Sequence, residues 1–293
     1  MSQIRADYAI IGGTGVYDPA MLESSIEQTL STPFGLAKAT IGTYKGKRIA
    51  FMPRHGVGHS IPPHLINYRA NIWALKELGV QQVLATAAVG SLQLPYKPGS
   101  LVLIDSFLDY TKARPSTFFE EGRVVHVDMT DPYCGRLRSI VKGAADELDI
   151  PIFDGGTYVC AEGPRFESTA EIRLYQSFGA AVVGMTTIPE VVLAKEAELC
   201  YATVCMVTNY GAGISPHPLT HEEVVESMQE NVHRIRNLFF HTIERLDTTR
   251  DCRCPHAVGG QQPLVGNRDE AQEMDANGNA LAQVPSSEGS DRV

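Results

Sequence analysis

The chain has 293 residues, 43% of them hydrophobic and 20% charged, an ordinary globular balance with length enough for a sizeable core in one large domain or two small ones. Its formal net charge of −9 argues against a general nucleic-acid binder, because phosphate backbones need clustered Lys and Arg; a local cationic pocket for one phosphate is still allowed. The start runs into a strand-like segment without a signal-peptide pattern, and no apolar run reaches the ~20 residues of a membrane span, so a cytoplasmic location is expected.

In chain order, 8–11, 49–52, 80–85, 101–104, 180–183 and 202–207 are short runs rich in Val, Ile and Ala and read as strands. Most are apolar at both parities, as central strands covered on both faces should be. Between them, 67–78, 133–148, 169–178 and 190–199 carry helical spacing. The last helix, 221–246, is the clearest: Thr220 and Glu223 form a capping box ahead of an apolar stripe that includes Ile235, Phe239 and Ile243. This succession predicts an α/β fold, a single domain with a central mixed, largely parallel β-sheet flanked by helices. No aromatic residue follows Phe240, and from about Gly259 the chain is rich in Gln, Asn, Asp, Glu and Gly. The domain is therefore expected to cover 1–250, with 251–293 a polar, disordered tail.

Six cysteines are present. Cys134, Cys160, Cys200 and Cys205 stand alone in apolar or mixed segments, which suits buried free thiols of a cytosolic protein better than disulfides. Cys252-Arg253-Cys254 is open between a strained vicinal-type disulfide and no particular role. No second Cys/His pair at suitable spacing follows it, which disfavours zinc. His59 and His64 flank a Pro-rich loop without a carboxylate or Cys at helix-face spacing. No metal is expected.

The polar clusters fall at the C-terminal ends of predicted strands, where open α/β sheets bind ligands. Gly12-Gly13-Thr14-Gly15 offers backbone N–H groups and the Thr14 hydroxyl to an anion. It lacks the Lys of a phosphate-binding Walker loop and the third glycine of a dinucleotide fingerprint, and a plain tight turn explains it equally well. In Arg54-His55-Gly56 the guanidinium gives a fork of donors for phosphate, and His55 is read as a further donor. Thr86-Ala87-Ala88-Val89-Gly90-Ser91 is small enough for a ligand to lie against the backbone. Thr187 and Glu190 have the spacing of a capping box with Pro189 in the first turn, so Thr186 and Thr187 sit where a helix start attracts anions.

Gly163-Pro164-Arg165-Phe166-Glu167 adds an aromatic face and a carboxylate, and Thr208-Asn209-Tyr210 adds an amide. A flat base beside phosphate fits these groups, which suggests a purine nucleoside site. Gly12 to Gly15, Arg54-His55-Gly56 through Asn71, Glu162 to Phe166 and Met185 through Glu196 together resemble the trimeric purine nucleoside phosphorylase and methylthioadenosine phosphorylase family, over roughly 7–247. The resemblance implies a phosphate site of Thr14, Arg54, His55, Ala87 through its backbone, and Thr186. It implies that Phe166 packs on the purine, Met185 contacts the ribose, Tyr68 lies near phosphate and sugar, and His126 reaches the neighbouring site of a homotrimer. Inorganic phosphate is the implied co-substrate, with no cofactor.

Three positions bear on the nucleoside. A 6-oxopurine presents N1–H as donor and O6 as acceptor, whereas adenine presents the reverse. Ionised Glu167 accepts only and suits N1–H. Asn209 can both donate and accept, so it can serve N7 and O6. The adenine branch resembles Thr-Asp-Tyr-Asp where this chain has Thr208-Asn209-Tyr210-Gly211. His221 matches a residue that bonds the ribose 5′-OH, with a first-turn surface role as the alternative. The expected reaction is phosphorolysis of inosine or guanosine, with 5′-methylthioinosine left open. Asn209, Glu167 and His55 carry the catalysis in this reading, and methylthioadenosine phosphorolysis is the alternative.

Overall fold

The computed structural model describes residues 4–13, 16, 21–214 and 221–263, with the side chains of all of these except 57 and 221–230. Strand β1 (Tyr8–Gly12) is followed by an edge hairpin, β2 (Glu23–Thr32) and β3 (Gly35–Tyr44), and then by β4 (Lys47–Pro53). β1 lies between β4 and β5 (Gln82–Ser91), parallel to both. β11 (Cys200–Tyr210) runs parallel along the other side of β5 for the whole of its length. The last residues of β5 pair antiparallel with β10 (Val182–Gly184), and beyond it lie β9 (Thr157–Ala161) and β7 (Ser106–Tyr110). β6 (Leu101–Leu103) joins β11 antiparallel and carries the short β8 (Phe153–Asp154). The result is the expected mixed sheet flanked by helices.

Alternation along the central strands shows why their sequences are apolar at both parities. Ala9, Ile11, Ala50, Met52, Tyr201 and Cys205 face one buried layer, with Ile72 and Leu75 of helix α1 (Tyr68–Glu77) and Val191 and Leu193 of α4 (Thr187–Glu196). Tyr8, Ile10, Ile49, Phe51, Ala202 and Val204 face the other, with Leu137 and Val141 of α2 (Gly135–Glu147) and Ile235 and Phe239 of α5 (His221–Arg245). Each fully buried Ile, Leu, Val, Phe or Met side chain among these is worth about 1.5–3 kcal/mol, so both helical layers are needed to cover the sheet. A smaller cluster seats Ile172 and Tyr175 of α3 (Thr169–Ser177) against Val159 and Val183.

Several elements depart from the expectation. The β2–β3 hairpin was not foreseen, because β2 is almost wholly exposed and too polar to show as a buried run. β5 and β11 each extend past their apolar stretches, so 86–91 and 208–210, read as loop or strand end, are strand. The described fold also runs past 250. Cys254 and Val258 are buried, and the Val258 N–H donates to Glu198, so the first part of the expected tail packs on the body; 264–293 lie outside the described residues. Cys252 and Cys254 are unbridged, as are the other four cysteines, so no vicinal-type disulfide forms. The Thr220–Glu223 capping box also falls outside the described residues and side chains. Among the described residues no helix is long and apolar enough to cross a membrane.

Candidate active site

The sheet forks along one edge of β5. β1 pairs with it only through Ala85, and β10 joins only at Gly90. Between those points no strand among the described residues pairs with that side of Thr86–Val89, where the Arg54 side chain takes the Thr86 carbonyl. A cavity of about 700 Å³ fills the fork, within the size range of small-molecule sites. The ends of β1, β4, β5, β10 and β11 surround it, with Gly13, Arg54, His55, Ala87, Thr186 and Asn209 in its wall. The clusters that the sequence places at strand ends therefore converge. Thr14 lies outside the described residues. His221 opens α5, but its side chain does too.

Arg54 is buried and bidentate. Its Nε and one terminal nitrogen each donate to Glu190 at 2.6 Å, and the other terminal nitrogen donates to the Thr86 carbonyl at 2.8 Å. The Tyr201 hydroxyl donates to the same Glu190 at 2.6 Å. Three of the five guanidinium N–H groups are thus committed, and two are left for a ligand. The Glu190 pair holds Arg54 charged in the cavity wall, which a lone buried cation would resist. This overturns the capping-box reading of Thr187 and Glu190. Thr186 is the N-cap of α4 but makes no side-chain cap bond, and Ile188 is extended, so the regular turns begin at Pro189. The Thr187 hydroxyl bonds Tyr133 instead.

His55 Nδ1 lies 2.9 Å from the Ile61 carbonyl, which can only accept, so the proton sits on Nδ1. Burial pushes His55 below the ordinary histidine range, and the Arg54 charge adds to this against the Ile61 bond. The ring is neutral near pH 7, with Nε2 left as an acceptor. Nε2 is thus an acceptor rather than the donor that the sequence suggests. The Thr86 hydroxyl, also in the cavity wall, is buried without a partner.

On the base-reading side, α3 has a capping box formed by Ser168 and Glu171. Arg165 grips Glu171 from outside and, with Ser168, holds its carboxyl down at about 2. This anchors the segment just before the helix, which carries Phe166 and Glu167. Glu167 Oε1 is buried with no partner, and burial raises the carboxyl above the ordinary range. Across the cavity, β11 has a bulge between Val207 and Asn209. Bulges re-aim side chains beside functional sites, and here the bulge sets Asn209 opposite Gly90. The Asn209 amide donates to the Tyr210 carbonyl and accepts from the Thr208 hydroxyl, both at 2.8 Å. Phe166 lines the cavity yet is 81% exposed, so its ring has an open face.

Two predicted site residues lie elsewhere. Tyr68 is buried in the core behind the wall; its hydroxyl donates to the Pro63 carbonyl and accepts from Arg114. Its position at the start of α1 turns the ring toward the α1–α4 layer. His126 is exposed and does not line this chain's cavity. Arg114, not foreseen, is buried and donates to the carbonyls of Met185, Ile188, Ala161 and Glu162 and to the Glu162 carboxylate. It fixes the loop that presents Met185 and Thr186. An isolated Arg in a polar segment gives no sequence signal for this. Glu190 is an acid inside the apolar run of α4, and that much was visible.

An α/β sheet with a cavity at its strand ends, a buried charged arginine in the wall and a carboxylate with one unpartnered buried oxygen has the make-up of a small-molecule enzyme site. The phosphorylase superfamily model matches residues 7–244. The chain is 54% identical over 252 residues to "Probable 6-oxopurine nucleoside phosphorylase" of Dictyoglomus turgidum, covering 85% of this chain and 95% of that one. It is 50% identical over 264 residues to "Probable S-methyl-5'-thioinosine phosphorylase" of Methanothermobacter thermautotrophicus, covering 89% and 91%. Among solved structures, a methylthioadenosine phosphorylase from an antarctic soil metagenomic library superposes with a TM-score of 0.83 at 35% identity, covering 87% of this chain and 92% of that one. The chain belongs to the phosphorylase superfamily and is an enzyme of its purine nucleoside and methylthioadenosine phosphorylase family.

Proposed function

We propose that the enzyme carries out phosphorolysis of 6-oxopurine nucleosides, releasing the free base and a ribose 1-phosphate. The observation that carries this reading is that Glu167, whose Oε1 is buried without a partner, lines the same cavity as Asn209. A carboxylate accepts from N1–H of hypoxanthine or guanine, but it meets the lone pair of adenine N1. A mispaired buried edge costs about 1–3 kcal/mol per group, which is how such a site rejects the wrong base.

Phosphate is held by the two uncommitted N–H groups of Arg54, Nε2 of His55, the backbone at Ala87, and Thr186, with the Thr86 hydroxyl as a further partner; Thr14 completes this set in the family resemblance. As the C1′–N9 bond stretches, positive charge gathers on the sugar, and the anionic phosphate stabilises it. The bond's electron pair leaves with the purine. Asn209 supports the charge at N7 and O6, and Glu167 holds N1–H. A phosphate oxygen then bonds C1′ and the purine takes up the proton given up by hydrogen phosphate, so that ribose 1-phosphate and neutral base leave without a cofactor. Holding both substrates in one cavity supplies much of the rate through proximity. Met185 is placed to contact the ribose and Phe166 the base. A homotrimer would cover the exposed Phe166 and bring His126 to a neighbouring cavity. The six unbridged thiols suit a reducing, cytoplasmic location.

The test is base release from inosine, guanosine, 5′-methylthioinosine, adenosine and 5′-methylthioadenosine, each with and without phosphate. Phosphate-dependent release of hypoxanthine or guanine, with little adenine, is expected. 5′-Methylthioinosine has the same base edge, so Glu167 and Asn209 treat it as they treat inosine. Preferred release of adenine would replace this reading with methylthioadenosine phosphorolysis.

A further inference from the structure

Away from the cavity, four sulfurs converge from three elements. Cys134 is the N-cap of α2, Cys200 opens β11, and Cys252 and Cys254 follow α5. Their Sγ atoms all lie within 4.8 Å of one another, and those of Cys200 and Cys252 are 3.4 Å apart. No disulfide joins any two of them. A zinc ion with Zn–S bonds of about 2.3 Å holds four sulfurs about 3.8 Å apart at the corners of a tetrahedron. A disulfide needs about 2.05 Å and joins sulfurs only in pairs. We propose that Cys134, Cys200, Cys252 and Cys254 form a tetrahedral tetrathiolate site for a structural zinc ion.

The surroundings favour that use. Cys134 Sγ accepts the Leu137 N–H at 3.5 Å, and the N-terminus of a 13-residue helix favours a thiolate. Such N–H···S bonds are the outer support that metal-bound sulfur commonly has. Cys134 and Cys200 are held by main-chain bonds to the sheet, the Cys134 N–H to the Tyr201 carbonyl and the Cys200 N–H to the Gln81 carbonyl, both at 2.9 Å. The loop that brings the other two is pinned from outside: Arg136 bridges Asp247 and Asp251, and Arg250 donates to the Glu198 carbonyl. The sequence disfavours zinc because no second pair follows Cys252-Arg253-Cys254; in the fold the missing ligands come from far upstream.

Four protein sulfurs close the coordination shell, which marks a structural rather than a catalytic ion. Position agrees. Cys200 begins the strand and Asn209 lies nine residues on, about 30 Å away at the rise of a strand. The ion would clasp the segment after α5 onto α2 and β11, which accounts for ordered packing where composition alone predicts a tail.

The full chain, purified without chelator, is tested by metal analysis, by sulfur X-ray absorption, and by intact mass under denaturing, non-reducing conditions. The expected result is one zinc per chain in an all-sulfur shell, with six reduced cysteines in the mass. Displacement by a mercurial should release the zinc and lower the melting temperature. A Cys252→Ser/Cys254→Ser variant should lose zinc and melt earlier, yet keep the wild-type kcat/KM for inosine below its melting transition. Substoichiometric metal would overturn the proposal, whether the mass then shows two disulfides or six free thiols. So would iron in place of zinc, or full zinc retention by the double variant. If that variant does not fold, the wild-type metal content and absorption spectrum decide alone.

Discussion

Replacing Glu167 with glutamine isolates the base-reading argument in one atom. Glu167→Gln keeps the shape and turns an acceptor-only group into one that can also donate. Against inosine it loses the charge assistance of the N1–H bond. Against adenosine it removes a repulsive pairing, since the amide can donate to N1. Each change is on the order of 1–3 kcal/mol at a buried site and both act on the inosine-to-adenosine ratio of kcat/KM, which should therefore fall by roughly 30-fold or more. The assay is steady-state base release from both nucleosides at saturating phosphate. A second readout separates this from damage to the fold. Burial raises the Glu167 carboxyl above the ordinary range, so the folded chain binds that proton more tightly than the unfolded one. The stability this supplies is complete below the unfolded pKa and is lost as pH rises through the folded one. Glutamine has no proton to lose. The variant should therefore melt no earlier than wild type near neutral pH, with its relative advantage shrinking under acid conditions. The acid limb of wild-type kcat/KM for inosine should likewise lie above the ordinary carboxylate range and vanish in the variant. An unchanged ratio, within about twofold, would refute the claim that Glu167 reads the base edge.

Asn209→Ala should lower kcat by about 10²–10³ with little change in melting temperature, because the amide bonds only its chain neighbours; wild-type turnover would contradict its role at the leaving base. Glu190→Ala leaves Arg54 buried without its counter-charge and should cost about 3–5 kcal/mol in denaturant unfolding, beyond any effect on phosphate KM. Gly184→Ala places a Cβ 2.2 Å from the Tyr158 hydroxyl, to which the Thr186 N–H donates; the overpacking should cost about 1–3 kcal/mol and raise phosphate KM as Thr186 shifts. For His55, a folded pKa below the ordinary value means stability present above the unfolded pKa and lost as pH falls toward the folded one. Phosphate KM should therefore show no histidine step at neutral pH, and a step centred at or above the ordinary histidine value would contradict the neutral assignment.

Much of this was legible because the relevant residues are close together in sequence. β1 with Gly12-Gly13, β4 with Arg54-His55, and β10 with Met185-Thr186 each place a polar cluster right after an apolar run, and strand order then brings those ends together. What stayed hidden depends on contacts between distant segments. Glu190 has capping-box spacing from Thr187 in the sequence; only the fold shows Arg54 taking its carboxylate. Arg114 binds four carbonyls from two distant segments, none of which its own segment reveals. The β2–β3 hairpin escaped because it buries little, and hydrophobic period is the main signal of a strand. Tyr68 is different: the resemblance implies a place near phosphate and sugar, and the fold buries its ring outside the cavity lining, with its hydroxyl accepting from Arg114.

In the proposed reading, base choice also reaches beyond Glu167 and Asn209. The adenine-type pattern would need carboxylates at 209 and 211. At 211 the fold resists one: a Cβ there would lie 2.9 Å from Ile172 Cδ1 and 3.2 Å from the Ser91 carbonyl oxygen. The Gly211 backbone cannot retreat easily, since its N–H already donates to that carbonyl at 2.8 Å. Ile172 belongs to α3, the helix whose capping box also anchors Glu167. One helix therefore anchors the segment that carries Glu167 and crowds position 211 against the carboxylate of the adenine-type pattern. The bulge after Val207 sets Asn209 against the same strand that pins Gly211. Exchanging the specificity thus means reseating α3 against the β5–β11 ladder, and single substitutions at the base should erode the 6-oxo preference more readily than they install the reverse.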